Sequence, residues 1–220
     1  MKLAIFDLDN TLLNGDSDHA WGEFIIEKKI VDGPSHQLKN DQFYQDYLNG
    51  CLDIFAYQEF AMQILTQLPN AELTALRKEF MVEKIQPMIL PSATALVEHH
   101  RNQQHELLII TATNRFITEP IAEIFNIPHL IATEPEIKDG QYTGKVEGIP
   151  SYSDGKIKRL EAWLKQSSHH YDYQYFYSDS HNDLPLLKIV DEAIAVNADD
   201  TLKQYASEQH WQILDLTHQN

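Results

Sequence analysis

The sequence predicts an α/β protein: a doubly wound, mainly parallel, Rossmann-like sheet with an all-helical block inserted after the first strand. Three observations carry that expectation. Short apolar runs of strand length, at 3–6, 107–110, 130–132, 173–177 and 193–196, alternate with helix-length amphipathic stretches from residue 89 onward. Residues 14–88 show helical periodicity and no strand signal. Several of the apolar runs also end on a polar or acidic residue, at the edge where open α/β sheets bind ligands. The expected division is therefore a core domain, 1–13 with 89–220, and a helical cap, 14–88.

Taken in order, 3–6 is a buried-strand pattern that breaks into Asp7 and Asp9. Residues two apart share a face of a strand, so these carboxylates stand side by side at the sheet mouth. Two negative charges that close need a cation or a proton between them. Ala20, Trp21, Phe24 and Ile25 mark a first helix, expected to stop near Gly33-Pro34. A second helix is expected from Asp41 to Leu48, ending at Gly50. A third starts at Asp53 as N-cap, with Phe55, Ala56, Phe60 and Ile64 on its apolar face. A fourth is capped by Asn70 and turns Leu73, Leu76, Phe80 and Met81 inward. Ser92 is a candidate cap for a helix through Ala95, Leu96 and His99. The second strand runs into Thr111, and a helix over 116–125 follows it. Asp139-Gly140, between alternating segments, signals a hairpin. A helix over 156–164 precedes the aromatic strand that ends at Ser178-Asp179. Pro185 sits at a helix start. A strand over 193–196, a helix near 201–206 and an apolar run at 211–214 close the order.

A chain of 220 residues with net charge −16 lacks the basic face that nucleic acid or an anionic membrane requires. No apolar run approaches spanning length, and the start is too short for a signal peptide. Cys51 is the only cysteine, so no internal disulfide forms and a reducing compartment fits. A cytoplasmic protein is expected, a monomer or homodimer acting on a small molecule.

Four patterns in order carry chemistry: Asp-Leu-Asp-Asn-Thr at 7–11, Thr111 closing Leu-Leu-Ile-Ile-Thr, Lys156 in Asp-Gly-Lys-Ile-Lys, and Ser-Asp-Ser-His-Asn-Asp at 178–183. Each has a plainer reading. Thr111 could end a strand, Lys156 could be solvated with Lys158 competing for its role, and Asp183 could cap the next helix. Together the set resembles the four motifs of the haloacid dehalogenase superfamily of phosphohydrolases, spanning nearly the whole chain.

That resemblance implies a Mg2+-dependent phosphatase. Asp7 would be the nucleophile that forms an aspartyl-phosphate, and Asp9 the general acid and base. Asp7 and Asp179 would ligate the metal through their side chains, Asp9 through its backbone carbonyl, and Asp183 would hold the ion or its waters. Thr111 and Lys156 would stabilise charge on the transferring oxygens, and Asn182 would bond the phosphate.

The helical block and the Asp-Gly hairpin resemble subfamily IB, which contains the phosphoserine phosphatases. Those use a cap arginine for the serine carboxylate. Here the block from 14 to 88 holds only Arg77, with twelve acidic residues against six Lys and Arg. Asp16 stands where that subfamily has a glutamate near the substrate amine. Related members have been assigned as histidinol-phosphate phosphatases, so histidinol phosphate, a cationic ester, is the expected substrate. Phosphoserine hydrolysis and phosphotransfer to an alcohol are the rivals within the family. A catalytically silent phosphate-binding module is the rival outside it.

Arg115 admits two readings, a second anion contact or a helix-start arginine paired with Glu119. Asp18, His19 and Trp21 border the expected entrance, Trp21 as core. The pairs His99-His100 and His169-His170 are read as surface residues, because neighbours on a helix point apart.

Overall fold

A computed structural model describes residues 1–217. Its seven-stranded sheet has the order β4-β3-β2-β1-β5-β6-β7. Every pairing is parallel except β3 with β4. The central strand β1 (Lys2–Phe6) lies between β2 (Glu106–Asn114) and β5 (Tyr173–Ser178), with Ile5 opposite both Leu108 and Phe176. Its side chains divide between two cores: Ala4 and Phe6 join one apolar cluster, Leu3 and Ile5 the other. A strand buried on both faces reads as a continuous apolar run, which is why 3–6 does not alternate.

On one face pack α6 (Pro91–Asn102) and α7 (Arg115–Ile124). On the other pack α8 (Asp154–Gln166), α9 (Leu184–Leu187) and α10 (Asp200–Glu208). The outer strands are β6 (Glu192–Val196) and β7 (Gln212–Leu214). The hairpin joins β3 (His129–Lys138) to β4 (Gln141–Glu147) through Asp139 and Gly140, both at positive φ.

Between β1 and α6 the chain forms α1 (Ser17–Glu27), α2 (Gly33–Leu48), α3 (Ile54–Gln63), α4 (Asn70–Phe80) and, after a wide turn, α5 (Gln86–Met88). The two ends of this insertion meet: Leu13 bridges Ile89, and the Asn14 amide donates to the Met88 carbonyl at 2.7 Å. Three side-chain amides tie the helices to the sheet. Gln58 Nε2 donates to the Ala112 carbonyl (3.1 Å), Asn182 Nδ2 to the Tyr47 carbonyl (3.0 Å) and Asn70 Nδ2 to the Gly140 carbonyl (2.8 Å).

Several expectations are corrected. Gly33-Pro34 starts α2 rather than stopping α1, because proline suits the first helical turn. Asp53 does cap α3, but Phe55 is exposed, and Gln58 and Met62 are the residues that α3 buries. Asn70 reaches Gly140 instead of capping α4, and the Ser92 hydroxyl donates to the Leu216 carbonyl instead of capping α6. The helix expected through Ala95, Leu96 and His99 is α6, and it buries Ala93, Val97 and His100. Strand β2 does not stop at Thr111 but continues through an irregularity to Asn114. His100 is buried: Nε2 shares a hydrogen bond with the Tyr177 hydroxyl (2.7 Å), and burial pushes the ring down to about 4. His99, His169 and His170 are exposed as expected.

Candidate active site

The carboxyl ends of β1, β2 and β5 and the first turn of α8 meet beneath α1–α3. Asp7 follows β1 directly, and its amide donates to the Tyr177 carbonyl at 2.9 Å, which holds it in the sheet frame. Its Oδ1 accepts from Lys156 Nζ at 2.8 Å. The same ammonium donates to Asp183 Oδ2 at 2.7 Å, which also accepts from the Ser178 hydroxyl at 2.7 Å. Lys156 points inward because α8 starts in a tight turn. A Cβ on Gly155 would lie 2.1 Å from the Pro150 carbonyl oxygen, so only glycine fits. Lys158 is exposed, and Lys156 is the one of the two lysines that reaches Asp7 and Asp183. Asp183 makes no cap bond to α9.

Burial alone would lower the Lys156 ammonium, but the charges of Asp183 and Asp7 outweigh it and hold it above the usual lysine range. For Asp7 the balance reverses. Burial pushes it up to about 7, with Lys156 pulling down and Asp183 pushing up. Asp179 lies beyond the cavity wall with one side-chain donor, the Thr11 hydroxyl at 3.2 Å. Burial, then the charges of Asp7 and Asp183, hold it well above the ordinary range.

Asp9 connects sheet and insertion. Its Oδ1 accepts from the Ser17 amide at 2.7 Å and its Oδ2 from the Thr113 hydroxyl at 2.8 Å. Burial and the charge of Asp16 push it up to about 7 against those two donors. Asp16 caps α1, its Oδ1 accepting from the Asp18 and His19 amides at 2.9 and 2.8 Å. Thr111 is buried on the wall beside Asp7, its hydroxyl accepting from the Thr113 amide at 3.2 Å.

The cavity is lined by Asp7, Asp9, Asp16, Asp18, Asp183, Lys156, His19, Thr111 and Thr113, with Phe43, Tyr44, Tyr47, Leu52, Ile54, Tyr57 and Tyr152 as its apolar and aromatic wall. Five aspartates thus face one lysine, and that lysine is already engaged.

Two expected contacts are not brought to this cavity. Arg115 forks onto Glu134, with Nε to Oε2 at 2.7 Å and Nη2 to Oε1 at 2.9 Å, and it faces a separate surface hollow. Glu119 is its distant partner at 3.9 Å, so neither sequence reading of this arginine describes its main bond. Asn182 spends its amide on the seam, donating to the Tyr47 carbonyl and accepting from the Tyr152 hydroxyl at 3.1 Å. Arg77 is also elsewhere, donating to the Phe116 carbonyl at 2.8 Å.

Other residues at the site escaped the sequence reading. Thr113 follows Thr111 by two and so shares its face, a signal that was available. Tyr44 and Tyr47 are three apart on a helix and also share a face. Thr11 and Ser178, which orient Asp179 and Asp183, stand inside the quoted motifs at 7–11 and 178–183, but the sequence assigns neither a role.

Among the described residues, no three His, Cys, Asp or Glu side chains already surround a common metal position. Lys156 draws Asp7 and Asp183 toward itself, and Asp179 turns to Thr11. A magnesium site does not need three such side chains, since Mg2+ is commonly held by one or two carboxylates, waters and substrate phosphate. The donor chemistry fits a hard cation, because the buried acids outnumber the single ammonium available to them.

A sequence profile for haloacid dehalogenase-like hydrolases matches residues 4–188. A histidinol-phosphatase of Neisseria meningitidis serogroup C (strain 8013) is 46% identical over 218 residues, 97% of this chain and 98% of that protein. A protein with unknown function from Bordetella pertussis Tohama I has a solved structure that matches with TM-score 0.92 at 39% identity, over 98% of each chain. A phospho-aspartyl intermediate analogue of phosphoserine phosphatase matches with TM-score 0.69 at 20% identity, over 97% of this chain and 92% of that one, a likeness of fold.

Proposed function

The chain belongs to the haloacid dehalogenase-like hydrolase family and is a phosphatase of that family, and from this premise we propose that it is a Mg2+-dependent histidinol-phosphatase. The observation that carries the chemistry is Lys156 held between Asp7 and Asp183, beside Asp9, at the carboxyl ends of the central strands. The observation that carries the substrate is the cavity itself, where, among the described residues, acids and aromatic rings leave no free cation to receive a substrate carboxylate.

In this reading Asp7 attacks phosphorus, forming the aspartyl-phosphate as the bond to the leaving oxygen breaks. Asp9 donates its proton to that oxygen. It then takes a proton from the water that attacks the same phosphorus, releasing inorganic phosphate and restoring Asp7. An acid held near neutrality suits both transfers, and Asp9 is pushed up to about 7. The Ser17 amide and the Thr113 hydroxyl fix its direction. Thr111 and Lys156 bind the non-bridging oxygens. Asp7 and Asp179 would hold Mg2+ through their side chains and Asp9 through its carbonyl, with Asp183 holding the ion or its waters. Bound there, the ion would offset repulsion between nucleophile and phosphate. Asp16 meets a cationic nitrogen of the leaving alcohol. We assign 14–88 as the cap and 1–13 with 89–220 as the core, in a cytoplasmic enzyme that is a monomer or homodimer.

The test is phosphate release from histidinol phosphate and phosphoserine, with and without Mg2+. The expected result is Mg2+-dependent release that favours histidinol phosphate and is abolished in Asp7→Asn. Equal turnover of the two esters would remove the charge argument, and turnover surviving in Asp7→Asn would remove the nucleophile.

A further inference from the structure

Asp18 holds the second position of α1, faces the cavity and takes no part in the steps above. It is 5% exposed. Its Oδ1 accepts one long bond, from Asn114 Nδ2 at 3.4 Å. Its Oδ2 is sealed from solvent and no donor meets it at hydrogen-bond geometry, the Tyr57 hydroxyl acting on the carboxyl only as a weaker pull. Buried acceptors are rarely left so, and one on a cavity wall marks where a ligand donor is missing. Burial, then the charge of Asp16, push this carboxyl up to about 8, against the pull of the Tyr57 hydroxyl. Among the described residues no basic side chain answers it: Lys156 is engaged by Asp7 and Asp183, and His19 turns to Asp41 at 3.1 Å.

Asp16 and Asp18 are not equivalent. Asp16 is partly exposed and already spends Oδ1 on two backbone amides, whereas Asp18 keeps a whole oxygen unused. We propose that Asp18 is a specificity-determining residue, whose free Oδ2 accepts an N–H from a second nitrogen of the leaving alcohol, one nitrogen meeting Asp16 and the other Asp18. The site then selects phosphate esters of alcohols that carry two nitrogens, such as an amine and an azole ring, over esters that carry one. The aromatic wall of Tyr44 and Tyr57 suits a flat, partly charged ring on that second nitrogen. This inference rests on the histidinol phosphate reading and names the residue that would enforce it.

The test compares kcat/KM for histidinol phosphate with that for 2-aminoethyl phosphate, which carries one nitrogen, in the wild type and in Asp18→Asn. The ratio cancels general damage to the enzyme. It should fall about 100-fold in the variant, since sites built around a substrate N–H discriminate strongly against its loss. Asp18→Ser, also uncharged, should show the same fall and replaces the Asn variant if that one does not fold. A ratio unchanged in the variant that folds overturns the role of Asp18 while leaving the substrate reading standing. A wild type with no preference for histidinol phosphate over phosphoserine overturns both.

Discussion

The sheet and the inserted helices meet at the same cavity but are built to different tolerances. In β1 the four residues Leu3, Ala4, Ile5 and Phe6 are fully buried, and the acid that follows inherits their fixed position. In α2, sixteen residues long, Asn40 is the one fully buried residue, and α3 buries only Gln58 and Met62. These helices carry Phe43, Tyr44, Tyr47 and Tyr57 on a thin layer, fastened to the sheet by single amides such as Gln58 and Asn182. Segments with few buried apolar contacts open at low free-energy cost, whereas sheet centres open only with the whole protein. The sheet thus suits chemistry that cannot tolerate misplacement, and the helices suit entry and selection.

The largest expected effect comes from cutting into the sheet side. Lys156→Met removes the cation shared by Asp7 and Asp183, and kcat should fall by about 100- to 1000-fold. Folding should also weaken by roughly 3–5 kcal/mol, because two buried carboxylates lose their partner. A variant with wild-type kcat would mean that the ammonium only supports the fold.

Next comes the response of the metal-free protein to pH. Asp7 and Asp9 are each raised from an ordinary 3.8 to about 7, so the folded state retains protons that the unfolded chain has released. Stability is therefore full below about 4 and is lost as the pH rises through about 7. The melting temperature should drop by about 5 °C or more between pH 5 and pH 8, and added Mg2+ should raise it more at pH 8 than at pH 5. A metal-free melting curve that does not vary over that interval would contradict the burial of unneutralised acids.

The smallest effect tests the fastening between the regions. Asn182→Ala loses the bonds to the Tyr47 carbonyl and the Tyr152 hydroxyl, at a cost of about 1 kcal/mol each. The kcat/KM should fall roughly threefold through KM, with kcat retained. A fall confined to kcat would return Asn182 to the phosphate itself.

The unequal tolerances also explain what could be read from residues alone. Strand ends are short-range facts, so Asp7, Asp9 and Asp179 announce their neighbourhood once the apolar runs are found, while Thr111 ends its apolar run but lies inside β2. Long side chains do not. Arg115 lies four residues past Thr111, yet Glu134 on β3 captures it and turns it away. Asn182 lies inside a motif, yet its partner is a carbonyl 135 residues distant in sequence. Within the helices, periodicity located α1 and α4 but misplaced the start of α2 and the buried face of α3. Helices that bury so little carry a weak apolar pattern, and at Gly33-Pro34 the same dipeptide serves as a stop or a start.

The paired ends of the insertion have an evolutionary corollary. Leu13 beside Ile89, with Asn14 bonded to Met88, means the chain departs from the sheet and returns to it at one point. Whatever is threaded between those anchors closes a loop whose entropic penalty grows only logarithmically with length. The module can be shortened, enlarged or grafted from a cousin without disturbing strand register, so a lineage can acquire new metabolites while its phosphorus chemistry stays untouched.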